Sequence, residues 1–237
     1  MKCQYCIHTK DKHYTTHGVE RASSIIEKTK PNVNALNKAI WDLDTIYWKR
    51  ESGYEWIDDK TLDKMIISSF LESSMVTPLK IQKRNRKMSD AQIIINFLGK
   101  RDEPYFTSES ILAAGYGPGS GLGGNITMNS DNLWLLRKTP LTMLEAKALG
   151  YIDNFSDPTN LKQYYDPLHT LKHEGGHALG MNHITDINQR NKAIMFPYYN
   201  GLRSFGDADL NYIQSLYGKS NVWKETQDMI RMRINNF

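Results

Sequence analysis

Hydrophobic positions in this chain form short blocks whose spacing changes along the sequence. Thr45–Lys49 reads T-I-Y-W-K, a β-branched and aromatic run that predicts a strand. From Asp59 to Ser73 the period becomes helical: Leu62, Met65, Ile66, Phe70 and Ser73 share one face, which predicts an amphipathic helix packed on a sheet. Ala91–Leu98 is a short apolar run without helical breadth, as in a buried strand. Leu112–Ala114 and Asn125–Met128 predict short strands on either side of a glycine-rich stretch. Its glycines, Gly115, Gly117, Gly119, Gly121, Gly123 and Gly124, signal turns. No Gly-Lys-Ser/Thr follows them at the spacing of a phosphate loop.

Three further helices follow from start and stop signals. Thr139-Pro140 opens one, with Leu141, Leu144, Ala148 and Leu149 on its apolar face and Gly150 at its end. Asp166-Pro167 repeats the start signal. In Asp209–Leu216, Leu210, Ile213 and Leu216 fall at helical spacing, and Gly218 is a stop.

The length of 237 residues allows one large domain or a domain with added segments, and the 40% hydrophobic and 24% charged composition is that of an ordinary globular chain. The expected division is a polar extension over 1–38, a domain over 39–218 and a tail over 219–237. In the tail Trp223, Ile230, Ile234 and Phe237 can line a helix that covers the domain, or meet a partner or membrane. The net charge of +4 is too mild to imply a nucleic-acid partner, and none is expected. Lys80, Lys83, Arg84, Arg86 and Lys87 could grip phosphate or a membrane surface, but such a run is more often a solvated strand edge or loop and is read as one. No run approaches 18 apolar residues, so no transmembrane segment is expected, and the first residues lack the apolar core of a signal peptide. Two cysteines exclude a disulfide-dense framework. Cys3, Cys6, His13 and His17 leave three readings open: a small second zinc site, thiols free or locally bridged, or a thiolate that caps a metal and keeps it latent.

The chemistry concentrates in His173–His183, H-E-G-G-H-A-L-G-M-N-H. His173 and His177 stand four residues apart, which on a helix puts both imidazoles on one face. Two such rings can hold one Zn²⁺. Gly180 can take positive φ, end the helix and bring in His183 as third ligand. Three protein ligands leave a position for water, the arrangement of a catalytic zinc. Glu174 stands beside the metal and can serve as general base. His169 lies one turn before His173, where its reach to such a metal is poor, and is read as packing or support. A core helix with satisfied histidines is the plainer alternative, but five fixed positions in eleven argue against it. The string is the metzincin signature. Ala193–Tyr199 follows as the Met-turn, with Met195 as an apolar floor beneath the metal.

Several stretches in order resemble the matrixins, the catalytic domains of matrix metalloproteinases. They are T-I-Y-W, the helix through Phe70 to Thr77-Pro78-Leu79, Ala91–Phe97, Leu112–Gly119, Gly123-Gly124 to Trp134, His183–Asp186, Met195–Tyr199 and Asp209–Gly218. The resemblance implies a metzincin-like α+β fold. A twisted, mostly parallel five-stranded sheet with two long helices would lie above a zinc cleft, with the Met-turn and closing helix in a small C-terminal part. It implies a zinc endopeptidase acting on proteins or peptides as a monomer. Substrate would lie along the edge strand at Ala113 and Ala114, and Pro197 and Tyr199 would wall the main specificity pocket. The family is mostly secreted; the compartment of this chain stays open.

Departures qualify this. Ala114 and Thr127 stand where matrixins place histidines of a second, structural zinc, so that zinc is expected to be missing. Asn125 replaces a calcium-binding Asp, which leaves Ca²⁺ in doubt. Ala208 replaces an acid that pairs with the freed N-terminus after activation, which weakens activation by that route. Extra residues lie between Trp134 and His173 and between His183 and Met195. The rival class is a non-catalytic zinc protein that presents its cleft to a partner; the intact Glu174, which a structural site does not need, stands against it.

Overall fold

A computed structural model of the protein describes residues 39–85, 91–106, 111–119, 121–136 and 164–221, with Asn32, Val33, Met229 and Met232 besides. The four Cys and His positions of the extension, the helix expected at Thr139–Gly150, Arg86, Lys87 and the apolar stripe of the tail lie outside the described residues.

Alternation in the first strand, β1 (Thr45–Arg50), sends Ile46 and Trp48 into the core. The chain then forms α1 (Asp59–Val76), whose first turn is capped by the Asp58 carboxylate accepting from Thr61 N. Leu62, Met65, Ile66 and Phe70 are buried along one side, as their spacing requires. The helix runs past Ser73 and stops before Thr77-Pro78, since the residue before a proline disfavours helical backbone. Strand β2 (Lys80–Lys83) returns parallel to β1, completing a βαβ unit.

Strand β3 (Ile93–Leu98) pairs parallel with the other side of β1, and its apolar run, interrupted by half-buried Asn96, fits a strand covered on both faces. Strands β4 (Ala113–Gly115) and β5 (Ile126–Asn129) complete the sheet, β5 parallel to β3 and β4 antiparallel to β5. The order is β2-β1-β3-β5-β4, five strands of which only β4 runs against the rest. β2 lies at one edge, where Lys83 pairs with Asp63 and stands over the Trp48 ring at 5.6 Å. The described part of the basic run is therefore a charged sheet edge, a common guard against edge-to-edge pairing.

Helix α2 (Pro167–Ala178) enters from a two-residue ladder of Leu133–Trp134 with Tyr164–Tyr165. It packs against α1 and against β4 and β5, and all of its residues are buried. A short 3₁₀ turn (Ile187–Gln189) precedes the Met-turn, and α3 (Asp207–Tyr217) closes the domain with Ile213 and Leu216 in the core. No described helix is long and apolar enough to cross a membrane.

Candidate metal centre and substrate cleft

Helix α2 starts where the sequence places it: the Asp166 side chain accepts from Leu168 N at 2.9 Å, and Pro167 occupies the first turn. It ends in a Schellman closure, with Gly180 N donating to His177 O at 2.8 Å and Met181 N to Gly176 O at 2.9 Å. Gly180 sits at φ 91°, a region where a side chain is strained. The remaining end carbonyls are satisfied from far along the chain. Trp41 Nε1 donates to Ala178 O at 2.8 Å and Tyr217 Oη to Leu179 O at 2.8 Å.

This turn carries His183 back beneath the helix. His173 Nε2 lies 3.2 Å from His183 Nε2 and 3.2 Å from His177 Nε2. These contacts are not ordinary hydrogen bonds. His173 Nδ1 lies 2.6 Å from Ile194 O and His177 Nδ1 lies 2.7 Å from Met181 O. A carbonyl only accepts, so each Nδ1 carries a proton, which leaves Nε2 as the nitrogen that each ring can offer to a metal. Two nitrogens bound tetrahedrally to zinc stand about 3.3–3.4 Å apart, given Zn–N bonds of about 2.0–2.1 Å. The donor set therefore fits Zn²⁺. Among the described residues, His173, His177 and His183 form the one cluster of three such side chains able to hold a metal ion.

Below this cluster the Met-turn is fixed by a buried carboxylate. Asp209 accepts from Ile194 N at 2.8 Å, Met195 N at 3.0 Å and Gly206 N at 2.9 Å. Burial pushes its carboxyl above the ordinary value, against the pull of these donors. Ile194 thus links Asp209 to His173, orienting the ring from α3. Ile184 N donates to Met195 O at 2.9 Å and ties the third-ligand loop to the same turn. Met195 is fully buried and its sulfur packs on Gly176, where any added Cβ would collide with it.

A cleft adjoins the cluster. It is lined by His173 and Glu174 at one end, by His169 and Thr170 one helical turn away, and by Leu112, Phe196, Pro197, Tyr198 and Tyr199. Pro197 and Tyr199, expected to wall a specificity pocket, are both among these lining residues. Tyr199 is held by Asp166 N donating to its hydroxyl at 2.9 Å, and its ring meets His169 edge-on at 4.7 Å. Ala113 and Ala114 lie on the edge strand β4 but do not line the cleft; Leu112, just before them, does. His169 is no part of the metal cluster: Nδ1 lies 2.7 Å from Leu202 O, and burial lowers its pKa to about 3, so the ring is neutral. Sequence reading gave it a supporting role and missed that it lines the cleft. It also missed Thr170, Leu112, Phe196 and Tyr198, which come together only in the fold.

Gly180→Ala keeps the helix but forces a side chain into left-handed backbone, at a cost of about 1–2 kcal/mol if the turn holds. We expect zinc affinity, measured by competition with a chromophoric chelator, to fall about tenfold, the equivalent of about 1.4 kcal/mol. Unchanged affinity would mean that His183 does not depend on this turn.

A mostly parallel five-stranded sheet over a three-histidine helix-and-turn centre, with a buried methionine turn beneath it, is the architecture of the metzincin class. The matrixin family model matches residues 40–218. This chain therefore belongs to the matrixin family. It is 27% identical over 195 residues to an interstitial collagenase of Bos taurus, covering 80% of this chain and 35% of that one. It is 29% identical over 165 residues to matrix metalloproteinase-18 of Xenopus laevis, covering 68% of this chain and 29% of the relative. A macrophage metalloelastase of Oryctolagus cuniculus is 28% identical over 186 residues, covering 76% and 34% respectively. The chain thus aligns with about a third of the length of these curated relatives.

Proposed function

We propose that the protein is a zinc-dependent endopeptidase that hydrolyses peptide bonds in protein substrates. The observation that carries this reading is the convergence of the His173, His177 and His183 nitrogens, with Glu174 beside His173 on the lining of the adjoining cleft. Zinc held by the three histidines would supply a Lewis acid and a water acidic enough to attack at neutral pH. Glu174, next to His173 and outside the ligand set, takes the proton of the attacking water and delivers it to the departing amide nitrogen. The free edge of β4 at Ala113 and Ala114 offers backbone groups to an extended peptide, and Pro197 and Tyr199 confine one of its side chains.

One zinc per chain is part of the proposal. Ala114 and Thr127 face each other across β4 and β5 and bring no metal-binding group to the place of the family's second zinc.

The test is cleavage of a quenched fluorescent peptide library by the zinc-loaded full chain, before and after chelation, with metal counted. We expect one zinc per chain and internal cleavage that chelation abolishes. Zinc binding without cleavage, in the full chain and after removal of residues 1–38, would instead support the non-catalytic binding protein.

A further inference from the structure

Charge is spread unevenly along this chain. Lys80, Lys83, Arg84, Arg86 and Lys87 put five cations and no acid into eight residues, while the whole chain carries a net charge of only +4, so the remaining residues together sum to −1. A basic run that outweighs its own protein is an electrostatic footprint for an anion.

Strand β2 sorts the described part of this run between two faces. Alternation sends Ile81 and Lys83 toward α1, where Ile81 packs on the core and Lys83 pairs with Asp63. Lys80, Gln82 and Arg84 fall on the opposite face. Arg84 still belongs to the ladder, since its N–H donates to Trp48 O at 2.8 Å. On β1, Ile46 and Trp48 enter the core, which leaves Thr45, Tyr47 and Lys49 on that same outer face. The register sets Thr45 beside Lys80 and Tyr47 beside Gln82. The result is a flat patch at the edge of the sheet, with Lys80, Arg84 and Lys49 around Tyr47 and Gln82. Lys80 and Gln82 are exposed, and the other three are half-buried. Lys80 and Arg84 stand about 13 Å apart along the strand. Glu51 answers Lys49, whereas among the described residues no carboxylate pairs with Lys80.

We infer that this face binds a sulfated polysaccharide. Its sulfates meet Lys80, Arg84 and Lys49, a sugar ring lies against Tyr47, and a hydroxyl bonds to the Gln82 amide. The inference stands apart from the peptidase reading, because no metal ligand or cleft residue takes part. The patch suits this partner better than other polyanions. A single-stranded nucleic acid is held by successive stacking rings, and this face has one. A membrane surface is held by buried apolar side chains as well as by charge, and the patch offers only the Tyr47 ring. A chain of charged sugars asks for spaced cations and amide groups on a flat surface.

The test titrates a heparin-derived octasaccharide calorimetrically into the full chain at about 50 and about 200 mM NaCl. We expect binding at the lower salt and a loss of at least about tenfold at the higher, as counterion release requires. The variant Lys80→Glu/Gln82→Glu alters only exposed side chains and so keeps the fold; it is expected to bind at least about tenfold more weakly. Three controls, each expected to bind more weakly, are the desulfated octasaccharide, an oligouridine of equal charge and phosphatidylserine vesicles. No binding of the sulfated fragment, binding untouched by the double variant, or equal or tighter binding of any control overturns the inference.

Discussion

Glu174→Ala retains one zinc per chain and hydrolyses peptide at least about 100-fold more slowly than the unaltered protein, the scale of a positioned acid–base group. The separation of the two readouts follows from the geometry. His173 and His177 are oriented through their Nδ1 atoms by Ile194 O and Met181 O, and neither bond involves Glu174. Removing the carboxylate leaves the nitrogen cluster and its supports in place. The carboxylate is itself closely fitted: a Cβ on Gly115 would stand 2.7 Å from Glu174 Oε2. Glu174→Gln, which keeps this shape, is the companion variant and is expected to lose a similar factor. Metal content by plasma mass spectrometry and kcat/KM on one peptide decide the matter. Equal turnover by Glu174→Ala removes Glu174 from the chemistry; loss of zinc from that variant makes it part of the metal site.

Lys172→Met destabilises the domain by about 3–5 kcal/mol, the range for a buried ion that loses its partner. Lys172 Nζ lies 2.8 Å from Glu72 Oε2 and 2.6 Å from Arg203 O, and neither charged side chain has any exposure. Glu72 Oε2 also accepts from Phe205 N at 2.9 Å, and the ammonium stands 5.5 Å from the Phe205 ring. Glu72 on α1 and Lys172 on α2 thus bind the two helices to the segment that leads into α3. The double variant Glu72→Leu/Lys172→Met is expected to recover most of the loss, since apolar replacements avoid the desolvation of both charges. It leaves Phe205 N without its acceptor, a residual cost of about 1 kcal/mol. Urea unfolding of the three proteins at one zinc concentration measures this. A single variant as stable as the parent would show that the charge is not confined as described.

These results separate what the sequence could disclose from what it could not. The metal centre was legible because its ligands lie within eleven residues, and helix period and a glycine turn fix their relation. The amphipathic α1 and α3 and the apolar β3 were legible from period alone. Lys172 was not, because a charged residue on a helix is ordinarily solvated, whereas α2 is buried on every side and its partner lies 100 positions away. The cleft was only partly legible. Pro197 and Tyr199 came through resemblance, while His169 and Thr170 acquire their place from a loop some thirty residues downstream. Asp209 read as the start of a helix, and its grip on the Met-turn depends on how α3 packs.

The end of α2 has a consequence for how the domain can be joined to other protein. Trp41 and Tyr217 both reach its last carbonyls, and Trp41 N donates to the Tyr217 hydroxyl at 3.2 Å. The two ends of the stretch that matches the matrixin model, residues 40–218, are therefore side by side, making that stretch a closed loop of chain with a single seam. Such a unit can be lodged in a surface turn of a host protein, or its ends joined and new ones opened elsewhere, without moving its centre. A cut on the domain side of Trp41 is different, because it opens the seam at the helix end from which His183 is turned into place.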